Sequence, residues 1–300
     1  MAKAIVGVIG GSGIYDLPGL EGLREAPMAS PWGEPSDALR YGRIGATEAV
    51  FLARHGRGHR HSPTSINYRA NIDALKRAGV TDIVGVSACG SFRAELYPGL
   101  FVLVDQFLDR TFARRTSFFG EGCVAHVSMA HPVAPRLRAR IAEAAKAEAT
   151  PFHLGGTYVC MEGPQFSSLA ESLGYQGAGA DVIGMTAATE AKLAREAEIS
   201  YATIAMVTDY DCWHEGHGAV DVASVVNVAR ANAERAAALV ARVLRDFPPE
   251  HEPCPIGSDR ALEGAIMTHP DARDPELLLK LDAVAGRVLN GARWPAGTGT

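Results

Sequence analysis

The chain has 300 residues, of which 47% are hydrophobic and 21% charged, and its formal net charge is -5. A mildly acidic chain has no general attraction for nucleic acid or for an anionic membrane, so an anionic substrate must be held locally by a few arginines and backbone amides. Its five cysteines are odd in number and form no C-x-x-C pair, which argues against a disulfide framework or a zinc knuckle and favours a cytoplasmic location.

The N-terminal half alternates short β-branched runs with one amphipathic segment. Residues 4–9 form an apolar run that ends in glycines; because it is too short for a secretion signal, we expect a buried strand there. Helical spacing predicts a helix at 67–78, capped by Gly79. Further strands are predicted at 39–44, 49–53, 81–88 and 100–104.

The second half continues this alternation with longer helices. Strands are predicted at 156–160, 182–185 and 201–208, and helices at 132–149, 166–173, 187–197 and 222–244. Apolar strands alternating with helices are typical of an α/β fold, so we expect one domain over residues 1–247, with a central mixed sheet flanked by helices. No apolar run is long enough to span a membrane.

The composition changes after Phe247, where four prolines precede one more amphipathic segment. A single helix is predicted at 275–289, with an apolar face that needs a partner surface. That face consists of Leu278, Leu281, Val284 and Val288. We therefore expect residues 248–294 to form a helical extension packed on the same domain, and residues 295–300 to be disordered.

Small polar groups follow several predicted strands at the point where each strand ends. Ser12 lies in a glycine-rich turn, Arg54 and His55 follow a second strand, Ser87 and Ala88 end a third, and Thr186 follows a fourth. The carboxyl ends of strands in open α/β sheets are where ligands bind. Together these groups predict a phosphate-type anion site, although the glycine turn alone fits neither the Rossmann nor the P-loop pattern.

Two polar clusters leave the chemistry open. Histidines alternate with arginines over 54–61, which suits a basic loop better than a metal site because arginines repel a cation. The second cluster contains Asp209, Asp211, His214 and His217. Two carboxylates at i and i+2 of an extended chain would face one ligand, and a metal-dependent hydrolase could use all four residues.

A third polar segment combines an acid with an aromatic ring. Glu162 precedes Gly163-Pro164, and Phe166 follows two residues later. A carboxylate can accept hydrogen bonds from a ribose diol, and a phenyl ring can stack on a purine. A turn that starts a helix, with a core phenylalanine, explains the same residues equally well.

Eight short motifs taken together give a more specific prediction. Over residues 4–245 the chain resembles the methylthioadenosine phosphorylases, within the trimeric branch of the purine nucleoside phosphorylases. In the order of that family, the motifs are Gly10-Gly11-Ser12-Gly13, Ala53-Arg54-His55-Gly56-Arg57, Asn67-Tyr68-Arg69-Ala70-Asn71, Ala88-Cys89-Gly90-Ser91, Asp105-Gln106-Phe107, Asp109-Arg110-Thr111, Glu162-Gly163-Pro164 and Thr208-Asp209-Tyr210-Asp211-Cys212-Trp213. Gln165 departs from the arginine frequent in the family after Glu-Gly-Pro, so a charge-based role there is not implied.

The resemblance implies a role for each matching residue. The phosphate site would consist of Ser12, Arg54, His55, Ser87, Ala88 and Thr186. Met185 would lie under the ribose, Phe166 and Ser167 would border the base, and Asp209 and Asp211 would face the purine edge. The pocket for the 5′ substituent would be lined by His59, His126, Val222 and Val225, with His126 supplied by a neighbouring subunit.

The implied reaction is phosphorolysis of 5′-methylthioadenosine to adenine and 5-methylthioribose 1-phosphate. Phosphate would attack C1′ of an oxocarbenium-like sugar while Asp209 shares a proton with the departing base. Inorganic phosphate is a co-substrate in this scheme, and neither metal nor organic cofactor is needed. The implied partners are small molecules and further copies of the chain in a homotrimer, with pairing of trimers into hexamers left open.

Three alternatives remain at this point. A phosphorylase that prefers 6-oxopurines, such as methylthioinosine, inosine or guanosine, would carry Asn in place of Asp209, because its substrates present an acceptor where adenine presents a donor. A metal-dependent hydrolase would lose activity to a chelator. A nucleotide-binding module would bind the nucleoside without turnover.

Overall fold

The structure is a computed structural model that describes residues 2–11, 17–214 and 222–289, without the side chains of residues 222–224. In this part of the chain, eleven strands form one mixed sheet with helices around it. The strands are β1 (Ile5–Gly10), β2 (Glu21–Ala26), β3 (Leu39–Ile44), β4 (Thr47–Ala53), β5 (Asp82–Ser91), β6 (Phe101–Leu103), β7 (Gln106–Arg110), β8 (Phe152–Leu154), β9 (Thr157–Met161), β10 (Val182–Gly184) and β11 (Ser200–Asp209). The helices are α1 (Tyr68–Arg77), α2 (Pro135–Ala147), α3 (Leu169–Gly177), α4 (Ala187–Glu196), α5 (Val222–Arg245), α6 (Pro275–Lys280) and α7 (Asp282–Leu289).

Two helical layers cover the sheet. The apolar residues of α2 and α5 form one core cluster with Val6 and Val8 of β1. Those of α1, α4 and α7 form a second cluster with Ile9 of the same strand. Because β1 buries side chains on both faces, its sequence is apolar throughout. The predicted α/β fold with a central mixed sheet is confirmed.

The long strand β5 organises the centre of the sheet. Its first half pairs in parallel with β1 at Asp82–Gly85, and its end pairs antiparallel with β10 at Gly90–Ser91. On its other side, β11 runs parallel to it from Asp82 to Gly90. Strands β1 and β10 therefore diverge from β5 around residues 86–89, and a gap opens in the sheet there.

The segment after Phe247 returns to the sheet and the helices. Its last helical part is two helices rather than the single predicted one, because Leu281 ends α6 as its C-cap before α7 begins. The predicted apolar face is nevertheless buried: Leu281 and Val284 are in the core, with Leu278 and Val288 packed against it. Residues 295–300, predicted to be disordered, lie outside the described residues.

Candidate active site

A cavity of about 670 Å³ opens where β1 and β10 diverge from β5. The end of β4 and the loop after it contribute one wall, and the end of β11 with helix α5 contributes the opposite wall. Residues 183–186, which lead from β10 into α4, close a third side. Its position beyond the carboxyl ends of parallel strands is the usual ligand site of an open α/β sheet.

Most of the residues singled out in the sequence line this cavity. They are Arg54, His55, His59, Ser87, Ala88, Phe166, Met185, Thr186, Asp209, Asp211 and Val225. Ser12 and the side chain of Val222 lie outside the described residues. Two others do not line the cavity: Ser167 contacts Met161 and Cys212 instead, and His126 lies exposed on a loop that pairs with Ala265.

Arg54 is fully buried and almost fully paired. Its Nε and Nη2 donate to the carboxylate of Glu190 at 2.5 and 3.1 Å. Nη1 donates to the Val86 carbonyl at 2.8 Å, and Nη2 also donates to the Ile9 carbonyl at 3.3 Å. Burial alone would lower the pKa of Arg54, but the charge of Glu190 raises it well above its usual range. The guanidinium is thus charged and fixed between β1, β5 and α4.

Glu190 is a site residue that the sequence analysis missed. It is 2% exposed, and its Oε2 also accepts a hydrogen bond of 2.8 Å from the hydroxyl of Tyr201, which is itself buried. A lone glutamate inside a helix usually indicates a solvated face. The signal that could have identified Glu190 is its position in a helix that is buried on nearly every side, because a buried glutamate needs a charged or hydrogen-bonding partner.

Hydroxyl and amide donors surround the end of the cavity near Arg54. The Oγ of Ser87 is buried close to the hydroxyl of Tyr158, and neither makes a hydrogen bond of normal geometry within the described residues. Thr186 is the N-cap residue of α4, but its side chain makes no capping hydrogen bond. A helix N-terminus with free N–H groups and nearby hydroxyls is a common anion site. The structure therefore brings Ser87, Thr186 and Arg54 together at this end.

A pair of stacked histidines forms the wall beside these donors. The rings of His55 and His59 are 4.0 Å apart and inclined by 10°. Nδ1 of His55 lies 2.9 Å from the carbonyl oxygen of His61. Burial, together with the charge of Arg54, lowers the pKa of His55 to about 4. His55 is consequently neutral at neutral pH.

Two carboxyl groups form the opposite end of the cavity. Asp209 ends β11, and its Oδ2 accepts from the hydroxyl of Thr208 at 2.7 Å while its Oδ1 accepts from the backbone N–H of Asp211 at 2.8 Å. Asp211 is not in extended chain, as the sequence argument assumed, but in a turn with φ of +50°. The two acids face the cavity because this turn folds back, with Trp213 tied to the Ser91 carbonyl at 2.7 Å.

The two acids hold protons more strongly than exposed aspartates. Burial raises the pKa of Asp209, and the charge of Asp211 raises it further, against the hydrogen bonds from Thr208 and the backbone. Burial likewise raises the pKa of Asp211. A raised carboxyl pKa suits a group that must carry a proton to a substrate near neutral pH.

Glycine is required at position 90 to leave room for this turn. A Cβ on Gly90 would lie 2.8 Å from Oδ1 of Asp209 and 3.3 Å from the backbone nitrogen of Asp211. We expect Gly90→Ala to displace the carboxyl group of Asp209. In the phosphorolysis that the sequence implies, this change should lower kcat/KM roughly tenfold to hundredfold. The matched control is Gly174→Ala in α3, where an added Cβ meets nothing within 4 Å; equal activity of the two variants would contradict this prediction.

Glu162 contacts other parts of the protein rather than the cavity, which corrects the predicted ribose contact. Its carboxylate accepts from Thr64, from Arg114 and from the backbone N–H groups of Phe112 and Ala113, at 2.5 to 3.1 Å. Arg114 in turn donates to the carbonyl of Met185. The acid thus supports the cavity wall from behind, and its partners were too distant in sequence to be predicted.

The environment of Glu162 gives a pH-dependent contribution to stability. Burial alone would raise its pKa, but the hydrogen bonds from Thr64 and the two backbone groups lower it to about 2, from 4.5 for a free glutamate. Stabilisation from this group is therefore present above pH 4.5 and is lost as the pH falls towards 2. We expect Glu162→Gln to lower the free energy of unfolding at pH 7 by roughly 1–3 kcal/mol, and progressively less in acid.

Urea unfolding at pH 7, 5 and 3.5 measures this effect. Glu143→Gln, on the exposed side of α2, is the matched control and should change little at any of these pH values. If the decrease in the free energy of unfolding caused by Glu162→Gln stayed constant down to pH 3.5, the lowered pKa of Glu162 would not be its cause.

The described residues contain neither a cluster of metal ligands nor a membrane-spanning helix. In residues 2–11, 17–214 and 222–289, no group of three or more His, Cys, Asp or Glu residues has an arrangement that would hold a metal ion. Of the four residues that a metal-dependent hydrolase could use (Asp209, Asp211, His214 and His217), His217 lies outside the described residues. None of the helices in the described part of the chain is long and apolar enough to cross a membrane.

Known proteins share both the sequence and the fold. A sequence model of the phosphorylase superfamily matches residues 5–245. The S-methyl-5′-thioadenosine phosphorylase of Bradyrhizobium diazoefficiens is 67% identical over 97% of this chain and 100% of its own length. The enzyme of the same name from Cereibacter sphaeroides is 61% identical over 96% of this chain and 100% of its own length.

Solved structures agree with these relatives. A methylthioadenosine phosphorylase from an Antarctic soil metagenomic library superposes with a TM-score of 0.88 at 41% identity, covering 95% of this chain and 99% of that one. A variant of the adenosine/methylthioadenosine phosphorylase from Schistosoma mansoni, in complex with methylthioadenosine, has a TM-score of 0.80 at 34% identity and covers 91% and 99%. By sequence and by fold, this chain belongs to the phosphorylase superfamily.

Proposed function

We propose that this protein cleaves 5′-methylthioadenosine with inorganic phosphate to give adenine and 5-methylthioribose 1-phosphate. The observation that carries the proposal is one cavity with two chemically different ends. Hydroxyls, a helix N-terminus and Arg54 form one end, and the paired acids Asp209 and Asp211 form the other. A nucleoside lying between them would have its C1′ beside the anion and its purine beside the acids. The names of the relatives are in accord with this reading.

The anion end would hold phosphate as the nucleophile. In this proposal Ser87, Thr186 and the N–H groups at the start of α4 donate to phosphate oxygens, with Ala88 contributing its backbone. Arg54 fixes a positive charge behind them, and Ser12 would complete the group. Phosphate held beside C1′ stabilises the positive charge of the oxocarbenium-like sugar. Because it is already positioned for attack on C1′, little further ordering is needed in the transition state. Met185, whose carbonyl is held by Arg114, would lie under the ribose.

The acid end would bind the base and assist its departure. The leaving purine gains electrons as the glycosidic bond breaks, and a protonated Asp209 near N7 would neutralise that charge. A carboxyl oxygen also accepts the N6 amino hydrogen of adenine, whereas a 6-oxopurine would present an oxygen there. Phe166, which is 42% exposed at the rim of the cavity, would border the base. Ser167, which follows it just outside the cavity lining, is proposed to complete this border.

The 5′ substituent would lie near His59 and α5. Val225 of α5 offers apolar surface that suits a methylthio group better than a hydroxyl, and we propose that Val222 belongs to the same pocket. His126 would enter this pocket from a neighbouring subunit of a homotrimer. The exposed apolar side chains near it, Val124 and Met267, are the kind of surface that a second subunit covers.

The proposed location, partners and cofactor requirement are those expected for this reaction. We propose a cytoplasmic enzyme that acts on small molecules and uses phosphate as co-substrate, without a metal or an organic cofactor. Neither nucleic acid nor a membrane is among the proposed partners. The alternative is a phosphorylase that prefers methylthioinosine, inosine or guanosine, and Asp209 is the residue that disfavours it.

Base release from purified protein tests the proposal. We expect adenine release from methylthioadenosine only when phosphate is present, formation of 5-methylthioribose 1-phosphate, and little cleavage of inosine. Treatment with a chelator should leave the rate unchanged. Release that does not depend on phosphate would replace the proposal with a hydrolase, and preferred cleavage of inosine would favour the alternative.

A further inference from the structure

Tyr158 is a fully buried residue of β9 whose hydroxyl lies behind one wall of the cavity. It lies opposite Val182 of β10, where the two strands run parallel, and a Cβ on Gly184 at the end of β10 would overlap its hydroxyl oxygen. Gly184 itself lines the cavity. Glycine is therefore the residue that lets the hydroxyl of Tyr158 approach the backbone of this wall.

The hydroxyl of Tyr158 has a hydrogen to donate and only one neighbour to receive it. Burial raises the pKa of Tyr158 well above its usual range, so the phenol stays protonated. The group beside it is the Oγ of Ser87, and neither hydroxyl makes a hydrogen bond of normal geometry within the described residues. Two adjacent hydroxyls can form one hydrogen bond between them, which leaves one hydrogen that needs a further acceptor.

The surroundings decide which of the two hydroxyls keeps that hydrogen. Tyr158 belongs to a core cluster of apolar side chains, and its ring packs edge-on against Phe107 with the centroids 5.7 Å apart. Ser87, in contrast, lines the cavity together with Ala88 and Thr186. The hydrogen of Tyr158 therefore belongs on the Oγ of Ser87, and the hydrogen of Ser87 is left for a group in the cavity.

We infer that Tyr158 is a positioning residue for the bound anion: its hydroxyl donates to the Oγ of Ser87 and so directs the hydrogen of Ser87 towards an anion oxygen. This inference rests on the proposed function, in which Ser87 donates to phosphate. Tyr158 does not itself contact the anion. In a chain of two hydroxyls each hydrogen bond polarises the next, so Ser87 held in this way is a stronger donor than a serine that rotates freely.

Calorimetric titration of full-length Tyr158→Phe with phosphate tests the inference. The Kd of phosphate should rise about tenfold, because the hydroxyl of Ser87 is no longer held in one direction. The Kd of adenine, which carries no anionic group, should stay within about twofold of the wild-type value. Tyr41→Phe, at a strand tyrosine that packs on Arg24 and does not line the cavity, is the matched control and should leave both Kd values unchanged. A phosphate Kd unaltered by Tyr158→Phe would overturn the inference.

A double variant shows whether Tyr158 acts through Ser87. Once Ser87→Ala has removed the hydroxyl that Tyr158 positions, adding Tyr158→Phe should change the phosphate Kd less than about twofold. If the losses of the two single variants multiply in the double variant instead, Tyr158 does not act through Ser87 and the inference is wrong.

Thermal unfolding distinguishes positioning from a structural role. Without phosphate, Tyr158→Phe should unfold at the wild-type temperature or higher, because it loses a buried hydroxyl that has no partner of normal geometry in the described part of the chain. A fixed concentration of phosphate should then raise the unfolding temperature less in the variant than in the wild type. A lower unfolding temperature without phosphate would make the hydroxyl a structural group and refute the assignment.

The proposed function and this inference fail in different ways. If the wild-type protein releases adenine without phosphate and does not bind phosphate, both are wrong. If phosphorolysis proceeds but Tyr158→Phe binds phosphate as tightly as the wild type, only the role of Tyr158 is wrong.

Discussion

Glu190→Gln is expected to lower the free energy of unfolding by about 3–5 kcal/mol and to reduce phosphorolysis about hundredfold. The carboxylate of Glu190 is the only full negative charge that contacts Arg54 in the described residues, and both side chains are 2% exposed. Replacing it by an amide leaves a guanidinium in the core without its counter-charge. The cation would then move or recruit water, and the phosphate end would lose its fixed geometry.

A double variant separates folding from function. Arg54→Met combined with Glu190→Leu removes both buried charges, and such replacements are often neutral for stability, so we expect the free energy of unfolding to return to within about 2 kcal/mol of the wild type. Activity should fall further, about thousandfold, because no cation remains behind the phosphate. A double variant that kept substantial activity would contradict the role of Arg54.

Tyr201→Phe provides the milder comparison. Its hydroxyl donates to Oε2 of Glu190 at 2.8 Å, so its loss removes one hydrogen bond but leaves the ion pair. We expect a loss of roughly 1 kcal/mol in stability and less than about tenfold in activity. Urea unfolding and initial rates with varied phosphate measure all four proteins. If the Glu190→Gln variant were as stable as Tyr201→Phe, the ion pair between Arg54 and Glu190 would contribute little to stability.

The elements that could be predicted from sequence are those whose local pattern already reports burial. β1, β5 and β11 are buried on both faces, so their sequences are continuous apolar runs. β2 was missed because it is an edge strand with every residue exposed except its last, and its sequence reads as polar loop. β8 has only three residues, too few for any periodicity.

The site was predictable to the extent that it is built at strand ends. Arg54, Ser87 and Asp209 follow apolar runs, so the topology of an α/β sheet brings them to one edge. Glu190 and Glu162 were not assigned correctly because their roles depend on contacts with residues far away in the chain. Sequence patterns report which residues are buried, but not which charge lies opposite which.

Asp209→Asn is expected to change the choice of base as well as the rate. The amide cannot supply a proton to the departing purine, so kcat/KM for methylthioadenosine should fall about hundredfold or more. Its NH₂ group can, however, donate to the oxygen of a 6-oxopurine, which the carboxylate of Asp209 cannot do once ionised. The loss for methylthioinosine should therefore be smaller, and the ratio of the two kcat/KM values should shift towards the 6-oxopurine by about tenfold or more.

Two neighbouring positions sharpen the test of Asp209. Asp211→Asn tolerates the left-handed φ of +50° at this position and is the matched control, expected to shift the base ratio less. Thr208→Val removes the hydroxyl that donates to Oδ2 of Asp209 at 2.7 Å and so raises the pKa of that acid further. A general acid works only while protonated, so kcat at saturating phosphate should persist to higher pH in Thr208→Val than in the wild type. Equal loss for both bases in Asp209→Asn, with an unchanged pH profile in Thr208→Val, would remove Asp209 from the chemistry and leave it a structural role in the turn.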